Sequence, residues 1–168
     1  MGYLSVYSQD QVINVSIVDQ KLYLMEGNQQ LKEYPVSTSV YGIGSKAGSN
    51  KTPLGKHKVI RKFGDGAPLG TIFRSRINTG QTAKIYTDDT DLEKDDVTTR
   101  ILRLTGLEPG KNQGPGVDSF SRYIYIHGTP EEGLIGKPAS HGCIRMKNAD
   151  VVELYDLVDE GTLVTIEP

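Results

Sequence analysis

The chain has 168 residues, which is the length of one domain built around a single hydrophobic core. Its formal net charge is only −2, so it offers no broad basic surface for nucleic acid or an anionic membrane, and we expect no nucleic-acid partner. No segment approaches the roughly 20 apolar residues that a membrane-spanning helix requires. We therefore predict one domain over residues 1–168, without a membrane segment.

The first residues, MGYLSVYSQDQVINVSIV, have no basic start, no unbroken apolar stretch and no small-residue cleavage site, so they do not resemble an export signal. A single cysteine excludes an internal disulfide and gives no indication of an oxidising compartment. As written, the sequence predicts a cytoplasmic protein. A periplasmic or cell-envelope location would follow if a leader had been removed.

Short β-strands are predicted along the first third of the chain. The segment INVSI alternates apolar and polar residues with a period of two, and KLYLM does the same after an Asp19-Gln20 turn, so the two predict a hairpin. LKEYPVSTSV continues the sheet, with Pro35 at an edge or a bulge. Residues 41–55 are rich in glycine and are predicted to form a loop, either a solvated connection or one that contacts a ligand.

Further strands are predicted at KHKVIRKF, TIFRSRI, VTTRILRL and SRYIYIHG, the last of which places His127 at its end. The acidic run DDTDLEKDD (residues 88–96) lacks the glycine of a calcium-binding loop and is predicted to be a solvated loop. One helix is predicted, capped by Asn148 and ended by Gly161, before a closing strand at TLVTI. These elements predict a mainly β domain with a single packed helix.

The single cysteine, Cys143, lies in the segment SHGCIRM, and three roles are open to it: a catalytic nucleophile, a metal ligand or a buried apolar residue. The preceding glycine and the polar neighbours make this segment a poor core strand. A tight turn just before the helix would expose the sulfur and point backbone amides outward. Those features favour a reactive thiol with donors for an oxyanion.

A cysteine nucleophile needs a base, and two histidines are candidates. His141 is two residues from Cys143, and a side chain at that spacing in a turn seldom points at its neighbour's sulfur. His127 comes from the end of a separate strand and can approach the thiol freely, so it is the better base. With no carboxylate obviously placed to hold the second ring nitrogen, a carbonyl near Gly128 is the expected partner. His141 is then structural or in contact with substrate.

A zinc site is the alternative chemistry. His127, His141 and Cys143 offer atoms that zinc accepts, with His57 as a remote fourth ligand. Their spacing matches no common zinc pattern. We therefore expect no metal and no other cofactor.

The segment HGTPEEGLIGKPASHGCIRM resembles the signature of the L,D-transpeptidase family, whose catalytic domain is of the YkuD type. In that signature a His-Gly pair precedes a Ser-His-Gly-Cys-x-Arg block by about this distance. The segment NKTPLGKHKV resembles the family's Thr-Pro-x-Gly strand. The resemblance implies a YkuD-like β-sandwich with one short helix after the cysteine.

By this resemblance, Cys143 is the nucleophile and His127 is the general base. The Gly128 carbonyl orients the imidazole, and the amides of Gly142 and Cys143 form the oxyanion hole. The residues implied to line the substrate site are Ser140, His141 and Arg145.

The resemblance implies that the thiolate attacks the carbonyl at the L-centre of the third residue in a peptidoglycan tetrapeptide stem, releases D-Ala and leaves a thioester. Water as acceptor gives an L,D-carboxypeptidase of murein recycling, an amine gives an L,D-transpeptidase, and the missing leader favours water. Acylation of Cys143 by carbapenems is also implied. Arg145, Arg122 or Arg103 could pair with a stem carboxylate. A domain that only binds wall peptides, with an inactive cysteine, is the alternative from another class.

Overall fold

The computed structural model describes residues 11–168, so the expectation about an export signal falls largely on residues outside the described range. Within that range the chain forms ten β-strands and one α-helix, α1 (Asn148–Leu157), besides a short 3-10 helix at Glu132–Leu134. The strands are β1 (Gln11–Ser16), β2 (Lys21–Glu26), β3 (Gln29–Ser37), β4 (Gly55–Phe63), β5 (Thr71–Arg74), β6 (Ile77–Thr82), β7 (Val97–Gly106), β8 (Tyr125–Gly128), β9 (Ile144–Met146) and β10 (Leu163–Glu167).

All ten strands belong to one hydrogen-bonded sheet, in the order β4-β10-β1-β2-β3-β9-β8-β7-β5-β6. Because β4 also pairs with β7, the sheet closes on itself as a ring, and the β5–β6 hairpin extends from the ring beside β7. Opposite walls of the ring face each other across the core. The predicted mainly β fold with one short helix after Cys143 is confirmed.

The main hydrophobic core lies inside this ring. Each ring strand contributes alternate apolar residues to it, as the period of two in the sequence predicts. Helix α1 packs against β7 and β8 and adds Val151, Leu154 and Tyr155 to the core. A smaller apolar cluster, built around Ile101 and Tyr125, lies on the outer face of β7 and β8. This outer cluster is where the candidate site begins.

Two predicted strands differ from the structure. TIFRSRI is not one strand, because Ser75 and Arg76 adopt left-handed conformations, with φ of 47° and 66°, and turn the chain back as the β5–β6 hairpin. The strand predicted at SRYIYIHG begins only at Tyr125. The residues before it form turns, closed by backbone hydrogen bonds to the carbonyls of Asp118 and Phe120.

Among the other predicted elements, the first hairpin is confirmed, but the predicted helix cap is wrong. The INVSI–KLYLM hairpin is confirmed as β1 and β2. Strand β3 pairs with β9 only through Val36 and Ser37 among the described residues, so Pro35 lies on a stretch with an open edge. Asn148 is not a helix cap: it is the first residue of α1, and its side chain faces the sheet. Within residues 11–168, no helix has the length and apolar character needed to cross a membrane.

Candidate active site

Strands β8 and β9 place the predicted catalytic residues on one face of the sheet. The strands are parallel neighbours, with Ile126 opposite Ile144 and His127 opposite Arg145. Because side chains alternate along a strand, the two isoleucines point into the core while His127 and Arg145 point to the outer face. Cys143 directly precedes β9 and packs against the outer apolar cluster. The fold therefore brings the thiol and the predicted base to the same face.

The thiol of Cys143 is partly buried and lies between two backbone groups at the start of β8. The amide of Tyr125 donates to Sγ at 3.3 Å, and the thiol donates to the carbonyl oxygen of Tyr123 at 3.3 Å. Burial raises the pKa of this thiol to about 12, and the Tyr125 amide offsets only part of that rise. Cys143 is therefore a neutral thiol at neutral pH and needs a base for attack.

His127 is buried, and its ring orientation is fixed. Nδ1 lies 2.6 Å from the carbonyl oxygen of Gly128, and because a carbonyl only accepts, Nδ1 carries the hydrogen. Burial lowers the pKa of His127 below the ordinary value of 6.5, although the negative charge of Asp95 and the Gly128 carbonyl oppose this effect. The imidazole is thus neutral at neutral pH. Its Nε2 has a free lone pair and is the atom that can accept a proton.

The carbonyl that orients His127 belongs to a glycine with no room for a side chain. A Cβ atom at Gly128 would lie 2.6 Å from the Thr98 carbonyl oxygen and 2.7 Å from Asn148 Oδ1. The Asn148 amide is itself fixed, because it accepts from the Thr98 hydroxyl at 2.6 Å and donates to the Thr129 carbonyl oxygen at 2.9 Å. Asn148 therefore anchors α1 to β7 and to the segment that directly follows β8.

We expect Gly128→Ala to destabilise the fold and to displace the carbonyl that orients His127. Both opposing atoms are held in place, so relief requires backbone movement, at a cost of about 3 kcal/mol in the free energy of unfolding. Urea unfolding measures this loss. Gly27→Ala is the control, because nothing lies within 4 Å of a Cβ there and only its left-handed backbone, with φ of 59°, opposes the change. If both variants lost the same free energy of unfolding, the predicted steric clash at Gly128 would be contradicted.

The turn Ser140–Cys143 is held by side-chain hydrogen bonds. Ser140 is fully buried, and its Oγ donates to the Cys143 carbonyl oxygen at 2.6 Å and accepts from the Gly142 amide at 3.2 Å. Thr52 donates to the Gly142 carbonyl oxygen at 3.0 Å, and the φ of 125° at Gly142 belongs to a region that favours glycine. The Ser140 hydroxyl therefore shapes the turn that presents the thiol, and its expected place in the substrate site stays a prediction.

Arg145 is buried between two carboxylates. Nη1 lies 2.9 Å from Asp95 Oδ1 and 3.4 Å from Glu131 Oε1, and only 1% of the Arg145 side chain is exposed. The charge of Arg145 is therefore compensated inside the protein, and its expected pairing with a carboxylate of the substrate stays a prediction. Its Nε and Nη2 have no hydrogen-bond partner among the described residues, so the guanidinium depends on these two carboxylates.

Asp95 is a site residue that the motif reasoning misses. It belongs to the acidic run predicted to be solvated, yet only 17% of its side chain is exposed. Besides its contact with Arg145, its Oδ2 lies 3.4 Å from His141 Nδ1. Burial acts to raise the pKa of Asp95, but the positive charges of His127, in its protonated form, and of Arg145 outweigh this effect and hold the pKa below its ordinary value. Asp95 therefore contacts His141 and Arg145, and its charge acts on His127.

A topological signal in the sequence points to this position. VTTRILRL and SRYIYIHG are both predicted strands, and antiparallel pairing of the two places the residues before the first beside the end of the second. The structure has this pairing, with Thr98 opposite Gly128. The acidic run that precedes β7 therefore delivers a carboxylate close to His127.

Of the three residues predicted to contact substrate, His141 alone is exposed. Its side chain is 45% exposed, and its ring centroid lies 5.9 Å from that of Tyr41. Both rings line a groove of about 670 Å³. The acidic side chains that line this groove are Asp89, Asp91 and Glu93, with Lys137 as a basic one. The groove is therefore predominantly acidic and begins two residues from Cys143.

His57, the fourth ligand of the zinc alternative, lies elsewhere. Its Nε2 lies 2.8 Å from Ser119 Oγ and its Nδ1 lies 3.0 Å from the Gly55 carbonyl oxygen, so both ring nitrogens are engaged. In the part of the chain that the structure describes, no three His, Cys, Asp or Glu side chains gather in a metal-binding arrangement. His57 is accordingly a structural histidine that joins β4 to the segment before β8.

The pKa directions of His127 and Cys143 predict how an activity that depends on Cys143 varies with pH. We expect kcat/KM to rise with pH as His127 loses its proton, at a pKa below 6.5, and to remain level beyond 9.0, the ordinary pKa of a cysteine. The ultraviolet absorbance of the thiolate reports Cys143 alone, because the chain has one cysteine. A thiolate signal at neutral pH that is absent from Cys143→Ser would contradict the conclusion that Cys143 and His127 are both neutral at that pH.

Three features together define a cysteine-dependent acyl-transfer site. They are the closed β-sheet, the thiol presented by a tight turn and the neutral histidine held by a carbonyl. Comparison with known proteins agrees. Residues 10–166 match the family model of the YkuD L,D-transpeptidase catalytic domain. The chain therefore belongs to this family, and its membership supports an enzyme of the L,D-transpeptidase class.

Two curated relatives carry the same family name. A putative L,D-transpeptidase YkuD of Bacillus licheniformis is 49% identical over 61 residues, which are 36% of this chain and 37% of that protein. A putative L,D-transpeptidase YkuD of Bacillus subtilis is 51% identical over 59 residues, which are 34% of this chain and 36% of that protein. The chain thus aligns with little more than a third of the length of each relative.

Solved structures share the fold. L,D-transpeptidase 3 from Mycobacterium tuberculosis, in complex with a faropenem-derived adduct, has a TM-score of 0.58 and 20% identity, covering 95% of this chain and 60% of that one. An Enterococcus faecium L,D-transpeptidase has a TM-score of 0.52 and 17% identity, covering 94% of this chain and 50% of that one. At these identities the likeness establishes the fold alone.

Proposed function

We propose that the chain catalyses acyl transfer on the tetrapeptide stem of peptidoglycan through a thioester on Cys143. The observation that carries this proposal is the neutral His127, whose Nδ1 is held by the Gly128 carbonyl, on the same face of the sheet as the thiol. A neutral base suits a protonated thiol, because the proton leaves sulfur as the new bond forms. Family membership supports peptidoglycan as the substrate class.

In the first step, Cys143 Sγ attacks the carbonyl carbon at the L-centre of the third stem residue, a diamino acid. The thiol proton passes to Nε2 of His127, and the carbonyl oxygen becomes an oxyanion. When the C–N bond breaks, His127 returns this proton to the amine of D-Ala, which leaves, and the thioester remains. The amides of Gly142 and Cys143 are the proposed oxyanion donors, with the Cys143 amide as the main one, because the Gly142 amide already bonds to Ser140.

For the second step we propose water as the acceptor, which makes the enzyme an L,D-carboxypeptidase. His127 is neutral again once D-Ala has left, so its Nε2 can take a proton from the water that attacks the thioester. With this acceptor the substrates are soluble muropeptides, as in murein recycling, and the expected location is the cytoplasm. Fractionation of the native cells checks that location.

An amine acceptor is the second candidate, and the groove beside His141 favours it. The carboxylates of Asp89, Asp91 and Glu93 line this groove and would attract the ammonium group of a second stem. The product would then be a cross-link between stems or a protein attached to the wall. The enzyme would be an L,D-transpeptidase, as the names of the curated relatives suggest for those proteins.

Products formed from a disaccharide tetrapeptide distinguish these proposals by mass spectrometry. Tripeptide with free D-Ala supports water as the acceptor, whereas dimers without tripeptide contradict the carboxypeptidase and support the amine. An Asp91→Asn/Glu93→Gln variant should then lose dimers and keep acylation. If neither product forms and no mass is added to Cys143, the proposed function as a whole is contradicted. Cys143→Ala controls for hydrolysis that does not depend on the enzyme.

A further inference from the structure

Two arginines are held against exposed aromatic rings next to Cys143. The Cζ atom of Arg103 lies 3.7 Å from the ring centroid of Phe120 and 5.1 Å from that of Tyr123. The Cζ atom of Arg76, at the tip of the β5–β6 hairpin, lies 5.3 Å from the Tyr123 centroid. Arg76 Nη1 also donates to the Tyr125 hydroxyl at 2.9 Å. We call the surface formed by Arg76, Arg103, Phe120 and Tyr123 the arginine–aromatic surface.

Within residues 11–168, no carboxylate compensates the positive charge of this surface. Among the described residues, neither Arg76 nor Arg103 has a carboxylate oxygen within 4.0 Å, whereas Arg61 and Arg145 both do. Phe120 is 37% exposed and Tyr123 is 53% exposed, so the rings that hold the guanidinium groups are open to solvent. Rings on both arginines limit their rotation, which lowers the entropy lost when a ligand binds.

The surface is continuous with the nucleophile. The Tyr123 carbonyl accepts the Cys143 thiol proton, while the Tyr123 ring belongs to the surface. Tyr123 has a φ of 57°, a left-handed conformation that is costly for an aromatic residue and that fixes how this ring and carbonyl are presented. A peptide with its scissile carbonyl at Cys143 would therefore lie within reach of both arginines.

We propose that Arg76 and Arg103 bind free carboxylates of the acyl-donor stem peptide and so select an anionic donor. This inference rests on the proposed function, because it assigns a subsite to the donor of that reaction. A tetrapeptide stem carries several free carboxylates, and a planar guanidinium pairs with a carboxylate through two parallel hydrogen bonds. The acidic groove beside His141 has the opposite charge, so the two surfaces would discriminate an anionic donor from an amine acceptor.

Binding measurements on an inactive background test this subsite. The probes are the free tetrapeptide and its fully amidated form, titrated calorimetrically against Cys143→Ala. We expect Arg76→Gln and Arg103→Gln each to weaken binding of the free acid about tenfold. Amidation of the peptide's carboxylates should weaken its binding to Cys143→Ala. It should have little further effect on binding to a variant that also carries both Arg76→Gln and Arg103→Gln. Lys32→Gln is the matched control, because it removes a surface charge paired with Glu153 on α1.

Each outcome has a distinct meaning, provided that thermal unfolding shows each variant to be folded. Equal affinity of the arginine variants and Lys32→Gln for the free acid would overturn the subsite while leaving turnover by the wild type untouched. The carboxylate subsite would also be overturned if the arginine variants weakened binding only of a disaccharide-linked peptide. The aromatic rings of the surface would then bind the sugar. If the wild type neither binds nor turns over the tetrapeptide, the proposed function itself fails.

Discussion

A Cys143→Ala variant is expected to keep the fold and to lose thioester formation, with product formation reduced by about 10⁴-fold or more. Within residues 11–168 the thiol makes two hydrogen bonds, both of 3.3 Å and both to backbone groups, those of Tyr125 and Tyr123, so its removal costs little stability. The wild type should gain the mass of a carbapenem on exposure to the drug, and Cys143→Ala should not.

Two further variants separate the nucleophile from its base. Cys143→Ser keeps a hydroxyl that can make both hydrogen bonds, so a comparable loss in this variant assigns the effect to sulfur chemistry. His127→Gln keeps the thiol and should slow acylation by about 10²- to 10⁴-fold. Unchanged product formation in Cys143→Ala would refute the nucleophile. Loss of activity with a chelator, together with resistance to iodoacetamide, would instead support the zinc alternative.

The residues that we propose to act on the reacting bond can be identified from the sequence, because each lies in a short local pattern. Cys143 and Gly142 lie in one short turn, and His127 ends a strand whose apolar alternation is plain. The roles of Ser140 and Arg145 are not predictable in this way. Polar residues beside a nucleophile look like substrate contacts, and only the fold shows that the first closes a turn and the second is buried between carboxylates.

In the fold, too, local features can be predicted from the sequence, whereas contacts between distant segments cannot. Period-two alternation locates the β1–β2 hairpin, because one face of each strand is buried. The closure of the sheet through β4 and β7 joins segments far apart in the chain, and no local pattern encodes it. Asp95 is hidden for a related reason: an acidic run looks solvated until the pairing of β7 with β8 brings one of its carboxylates under the surface.

Asp95→Asn is expected to lower the free energy of unfolding by about 3 kcal/mol. The change leaves the buried Arg145 guanidinium with Glu131 alone, at 3.4 Å, and an uncompensated buried charge is costly. Urea unfolding at neutral pH measures the loss. Asp89→Asn, in the exposed part of the same acidic run, is the control and should change stability by less than about 0.5 kcal/mol. A triple variant, Asp95→Asn/Glu131→Gln/Arg145→Met, should recover much of the loss, because it removes all three buried charges.

The same variant also tests whether Asp95 acts on the base. The Asp95 charge favours the imidazolium form of His127 and opposes the lowering of its pKa by burial. Removing that charge should lower the pKa of His127 further, so the acid limb of kcat/KM should move to lower pH in Asp95→Asn. Asp89→Asn should leave the limb where it is in the wild type. A purely structural Asp95 would reduce stability without moving the limb, so the pH profile distinguishes a residue that tunes the base from one that only supports the fold.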